Sequence, residues 1–191
     1  MSAMSPRISK PRVEALHDEE AWTEAQREIL VPLTRHGRLY NVYATMANHP
    51  DLARDWMTFA SHILRRTSLP ARDREILILR TGWLCKAEYE WAQHVRIGRT
   101  AGLNESDIAN IMKGPGAPGL APPDKLLLQA ADELFTDKFV SDATWNALAK
   151  IYDTPNMMDL VFTVGQYTLV SMALNSFGVQ LDEGLEGFPK S

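Results

Sequence analysis

An all-α fold is what this sequence predicts, on three observations. Helix-start patterns recur along the chain, at Asn48-His49-Pro50-Asp51, Ser68-Leu69-Pro70, Ser141-Asp142 and Thr154-Pro155. Apolar residues follow them at three-to-four spacing, as in Leu52, Trp56, Phe59, Ile63 and Leu64. No hairpin signal flanks the most apolar run, Ile76 to Leu84.

The elements follow in order. Residues 1–20 read as an N-terminal arm, with Ser5, Pro6, Ser9 and Pro11 early in it, and residues 21–191 as a single domain. Thr23 caps a short helix that keeps its spacing to Pro32. Pro50 opens a stronger helix that ends near Thr67, with Asp51 placed to complement the helix dipole. The run Ile76 to Leu84 is apolar on nearly every side, which suits a central buried helix; periodicity by itself leaves a buried strand open. EYEWAQHVRIGRTA keeps helical spacing and stops at Gly102, after which Asn104 caps a short helix. GPGAPGLAPP is too rich in Gly and Pro for helix or strand and separates a front half from a back half. Three more helices follow, the second capped by Ser141 and the last, capped by Thr154, being the longest and stopping at Gly178.

Composition narrows the function. A net charge of -4 and no Lys/Arg cluster argue against nucleic acid as a partner, and a small-molecule substrate is expected instead. A single cysteine excludes an internal disulfide framework and a Cys-based metal site, and points to the cytoplasm. No apolar run reaches signal-peptide or membrane-span length, so no membrane is expected. No phosphate loop or dinucleotide glycine pattern is present, His49 and His62 have no partner at metal-ligand spacing, and neither cofactor nor metal is expected.

The tract from Arg74 to His94 carries the chemistry. It sets Glu75, Glu90 and His94 into an apolar, aromatic-rich segment. On a helix, Glu90 and His94 are four residues apart and share one face, while Glu75 comes from a preceding element. A carboxylate among Ile76, Leu77, Ile78 and Leu79 is desolvated and holds its proton more tightly than in water, which suits acid–base work. From spacing alone, His94 is as readily an ordinary surface histidine, Glu75 a first-turn acid paired with Arg72 or Arg74, and Glu90 a partner of Arg96 or Lys86. Arg80, Trp83 and Tyr89 are candidate substrate-binding residues, with an ion pair to a buried glutamate competing for Arg80 and simple packing for the two aromatics.

With LPARDREILILR, EYEWAQH and AGLNESDI, this tract resembles the carboxymuconolactone decarboxylase family, which shares the alkylhydroperoxidase D-like fold. The resemblance is best from Asn48 to Ile111. It implies an all-α alkylhydroperoxidase D-like bundle that assembles as a homo-oligomer, a trimer or hexamer, and it favours helix over strand for Ile76 to Leu84. It also favours the catalytic reading of Glu75, Glu90 and His94. The peroxidase branch carries a glutamate, a Cys-x-x-Cys pair and a histidine, and counting back from His94 puts the cysteines at Ala87 and Glu90. Cys85 lies two residues before the first of them and has no resolving cysteine. The resemblance therefore implies a cofactor-independent acid–base enzyme, a carboxy-lyase acting on a small cyclic carboxylated compound such as a lactone from aromatic degradation. An enolate isomerase or lyase, a peroxide-handling protein using Cys85 alone, and an oligomeric binding protein without turnover stay open.

Overall fold

The computed structural model describes residues 8–34 and 37–189, and the part of the arm before Ile8 lies outside them. Among the described residues all regular structure is helical. At the centre stands α4 (Ala71–Leu84), packed by α5 (Glu88–Thr100), α7 (Pro122–Thr136) and α9 (Thr154–Phe177). A helix that is apolar on every side must be buried on every side, and Ile76, Leu77, Ile78 and Leu79 are at most 1% exposed. Each such side chain stabilises the fold by about 1.5–3 kcal/mol. Leu127, Leu128, Ala130 and Ala131 of α7 and Leu160 and Val164 of α9 complete this main core. A second cluster, Ile63, Ile78, Tyr89, Tyr167, Val170 and Leu174, lies beneath the site described below.

Around this centre, α1 (Glu24–Thr34), α2 (Asn41–Met46) and α3 (Pro50–Ser61) build the front of the molecule, and α6 (Glu105–Lys113) and α8 (Asp142–Leu148) complete it. Thr23 caps α1 reciprocally with Gln26, each backbone N–H donating to the other's side chain. The helix continues to Thr34, beyond the expected end at Pro32, because a proline this close to the C-terminus removes a single backbone hydrogen bond. His49 caps α3 through Nδ1, and a π-helical turn, His62–Arg66, carries the chain on to Thr67. Pro122 and Pro123 belong to α7, which shortens the expected loop, since the missing proline N–H groups cost nothing in a first turn. The cap of α9 is Asp153, one residue ahead of the expected Thr154; its carboxylate accepts from the backbone N–H of Asn156 at 3.0 Å.

At the other end of α9, Gly178 has φ +70, and a Cβ there would lie 2.8 Å from the Lys10 carbonyl. Glycine is required on both counts. The close neighbour is the N-terminal segment, whose Arg12 and Val13 N–H groups donate to the Phe177 carbonyl at 2.7 and 3.2 Å. By length and hydropathy α9 could cross a membrane, which the unbroken-run criterion does not register, yet half of its apolar window is buried in the body as in a core helix. Its exposed face carries a row of large apolar residues, Met158, Phe162, Leu169 and Met172, at 56%, 52%, 51% and 59% exposure.

Candidate active site

The site begins where α4 and α5 approach each other. Gly98 makes this possible: a Cβ there would meet Leu103 Cδ1 at 2.9 Å and Leu79 Cδ1 at 3.3 Å. The same point lies 3.8 Å from Cβ of Glu75, so the close approach is also what delivers that carboxylate to α5. Gly98→Val is therefore expected to destabilise the fold by about 1–3 kcal/mol through overpacking. Urea unfolding checks this, and an unchanged midpoint would contradict the tight contact.

Glu75 is 0% exposed. One carboxylate oxygen accepts from Nδ1 of His94 at 2.6 Å and the other from the Arg74 guanidinium at 3.0 Å. His94, 4% exposed, reaches Glu90 with its other nitrogen, Nε2 to Oε1 at 3.1 Å. The result is a chain, Glu75 to His94 to Glu90. Burial alone would pull the His94 pKa down, but the two carboxylates outweigh it and raise it to about 9. Burial would likewise raise Glu75, but the His94 imidazolium and the Arg74 guanidinium hold it below the ordinary carboxylate value. At neutral pH, then, an imidazolium donates to a carboxylate on each side. The Tyr167 ring stands edge-on to the imidazole, with centroids 4.9 Å apart, and burial keeps its phenol neutral far above the ordinary range.

Glu90 and His94 open on a cavity of about 350 Å³, a volume suited to a small molecule. Glu75 does not line it and is joined to it by its hydrogen bond with His94. The walls are largely apolar, from Trp56, Met57 and Leu64 near the end of α3, Val170 of α9 and Ile97 of α5. Tyr89 is a wall by its ring alone, because its hydroxyl donates to Asp182 Oδ2 at 2.5 Å and accepts from the Val42 N–H at 3.2 Å. Asp182, 5% exposed, also accepts from Gln93 Nε2 at 2.6 Å and the Asn41 N–H at 2.9 Å, which fastens the C-terminal segment over this wall.

The structure thus brings Glu75, Glu90, His94 and Tyr89 together. Arg80 and Trp83 stand elsewhere, and the substrate-binding role expected of them is corrected. Arg80 is clamped by Asp132 through two hydrogen bonds of 2.6 and 2.9 Å, and it donates to the Ile111 and Met112 carbonyls. Trp83 packs against Trp91 and Phe188 at centroid distances of 5.3 Å each. Cys85, half-buried, caps the end of α4 and does not line the cavity. Sequence reading missed Arg65, Trp56, Gln166 and Tyr167, which reach the cavity from the π turn, α3 and α9. Arg65 and Gln166 had signals of a kind, a second basic residue ending a helix and an amide in an apolar helix.

Residues 50–133 match the model of the carboxymuconolactone decarboxylase family, a span that holds α3 to α6, Glu75, Glu90 and His94. Over that span the chain is similar to the carboxymuconolactone decarboxylase family. Its fold is that of alkylhydroperoxidase D-like proteins. An alkylhydroperoxidase AhpD core, an uncharacterised peroxidase-related protein from Ralstonia eutropha JMP134, superposes with a TM-score of 0.77 at 16% identity, covering 90% of this chain and 92% of that one. The debrominase Bmp8 in complex with 2,3,4-tribromopyrrole gives 0.74 at 14% identity, covering 92% and 94%. A peroxidase-related protein from Silicibacter sp. TM1040 gives 0.71 at 13%, covering 96% and 95%. No sequence match was found among curated proteins. In this chain, Ala87 is fully buried at the start of α5 and Glu90 faces the cavity one turn further on.

Proposed function

We propose that this protein is a cofactor-independent acid–base enzyme, a carboxy-lyase acting on a small cyclic carboxylated compound such as a lactone formed in aromatic degradation. The observation that carries this reading is the Glu75–His94–Glu90 chain, a charged proton path that ends on an apolar cavity. In a carboxylated lactone the conjugated carbonyl accepts the electron pair released when the bond to the carboxylate breaks, so carbon dioxide leaves and an enolate forms. Glu90 then passes to the enolate carbon the proton it draws from His94 Nε2, and solvent returns a proton to the imidazole. Glu75 is a positioning residue that keeps His94 charged. Run in the other sense, the Glu90 carboxylate abstracts a proton beside a carbonyl, which is the isomerase alternative on the same residues. The row on α9, with Phe162 edge-on to Phe59 at 6.0 Å, supports assembly of this enzyme as a homo-oligomer.

A panel of carboxylated γ-lactones, followed by carbon dioxide release and ultraviolet absorbance, tests the reading. Release of carbon dioxide by the parent and its loss in Glu90→Gln support decarboxylation. Double-bond migration without carbon dioxide moves the assignment to isomerase, and no conversion of any member overturns it.

The pH dependence follows from the same charges. As proton donor, His94 should sustain turnover through neutrality and lose it as pH rises through about 9. Its raised pKa contributes stability that is complete below the ordinary 6.5 and is lost as pH rises through about 9. The lowered pKa of Glu75 contributes stability present above the ordinary 4.5 and lost as pH falls through the folded value. Melting temperature is therefore expected to be greatest between 4.5 and 6.5 as far as this pair governs it. A midpoint that keeps rising above pH 9 would contradict the pairing.

A further inference from the structure

Beyond the proton path, the cavity holds polar groups that the fold itself does not use. Among the described residues, four buried side-chain atoms lack a hydrogen-bond partner, and two of them, Trp56 Nε1 and Gln166 Oε1, belong to residues that line this cavity. Gln166 is 3% exposed, so water does not satisfy it from outside. Buried polar groups are nearly always paired, and a pair of orphans on one cavity is the pattern expected where a ligand supplies the missing partners. A third group adds charge. Arg65 lines the same cavity from the π turn, is solvent-exposed, and has no ion-pair or hydrogen-bond partner among the described residues. The other arginine at the cavity, Arg96, is already engaged by Tyr40 and Gln93.

Resting on the reading of this cavity as a substrate site, we infer that Arg65 and Gln166 determine its specificity, selecting a ring that carries both a carboxylate and a hydroxyl. Arg65, exposed, binds the carboxylate at the cavity mouth, where a guanidinium fork matches the anion and its hydration is lost only in part. Gln166 Oε1, buried, accepts from the hydroxyl at depth, and the apolar walls take the ring between them. The Trp56 indole N–H, a donor without an acceptor, bonds a ring or carbonyl oxygen of the same ligand. Glu90 and His94 line the space the ring occupies.

Equilibrium binding tests this without requiring turnover. The probes are 3- and 4-hydroxybenzoate, benzoate, which lacks the hydroxyl, and methyl 4-hydroxybenzoate, which lacks the charge. Quenching of tryptophan fluorescence reports on Trp56, with calorimetric titration as the second readout. The parent is expected to bind a hydroxybenzoate best, benzoate less well and the ester least. Arg65→Met should weaken the acids roughly tenfold and leave the ester unchanged. Gln166→Leu should reduce hydroxybenzoate to the level of benzoate, and Gln166→Met serves as the second variant should leucine lower the melting temperature. Glu90→Gln should retain binding, so failure of the acid–base reading and failure of this one are separable. Equal binding of acid and ester, parental affinity for the acids in Arg65→Met, or no saturable binding of any probe by the parent overturns the inference.

Discussion

Replacing His94 with alanine is expected to lower turnover about a thousandfold, the range that a positioned general acid contributes, and to weaken the fold as well. The reason for the second effect is Glu75. With the imidazolium removed, a carboxylate that is 0% exposed keeps only Arg74 as a partner. Leaving a buried charge so poorly compensated costs about 3–5 kcal/mol, or roughly 10 °C in melting temperature for a chain of this size. Glu75→Gln separates the two effects. The amide keeps the shape and can still accept from Nδ1, so the fold should survive, but the larger of the two charges that raised the His94 pKa is gone, and burial is then opposed by Glu90 alone. The alkaline limb of the pH–rate profile should move down from about 9 toward or below the ordinary 6.5. Differential scanning calorimetry and a pH series of initial rates measure both quantities. If Glu75→Gln loses turnover with its limb unmoved, Glu75 does more than set the charge of His94.

The second large effect is expected at Arg80, and here stability and chemistry should part. Arg80→Met removes the partner of Asp132 and the donor to two helix-end carbonyls, those of Ile111 and Met112. Asp132 retains 26% side-chain exposure and can recover some hydration, so the cost is about 2–4 kcal/mol rather than that of a sealed charge. Turnover per folded molecule should stay at the parental level, since Arg80 does not line the cavity. A raised KM with an unchanged melting temperature would return Arg80 to the substrate. Denaturant titration beside steady-state kinetics distinguishes the two.

These two residues also show what a sequence can and cannot disclose. Glu90 and His94 were legible because i,i+4 spacing is a local property of a helix. Glu75 was legible because a carboxylate in an apolar run is a local anomaly, although its partner on α5 is not implied by the run itself. The helix starts at Pro50, Asn104 and Ser141 were legible for the same reason, since caps act within one turn. Arg80 stayed open between a structural and a substrate clamp because its partner, Asp132, lies 52 residues away, and no local pattern tells the two apart. Gln166 lies 72 residues beyond His94 on the far side of a Gly-Pro loop. It joins the cavity only through the packing of α9 against α4, α5 and the π turn, which is information held in the tertiary structure. The helix α2, too short for a periodic pattern to register, went unseen.

One contact described for the fold bears on how the molecule is made. The segment holding Lys10, Arg12 and Val13 is seated by the Phe177 carbonyl and by the turn at Gly178, so residues made before every helix find their place on the last residues of α9. During synthesis that segment has nothing to dock on, and Arg12 and Val13 wait for more than 160 residues to be added. Their docking is thus a late event of high sequence separation, one that follows the collection of the central helices around α4.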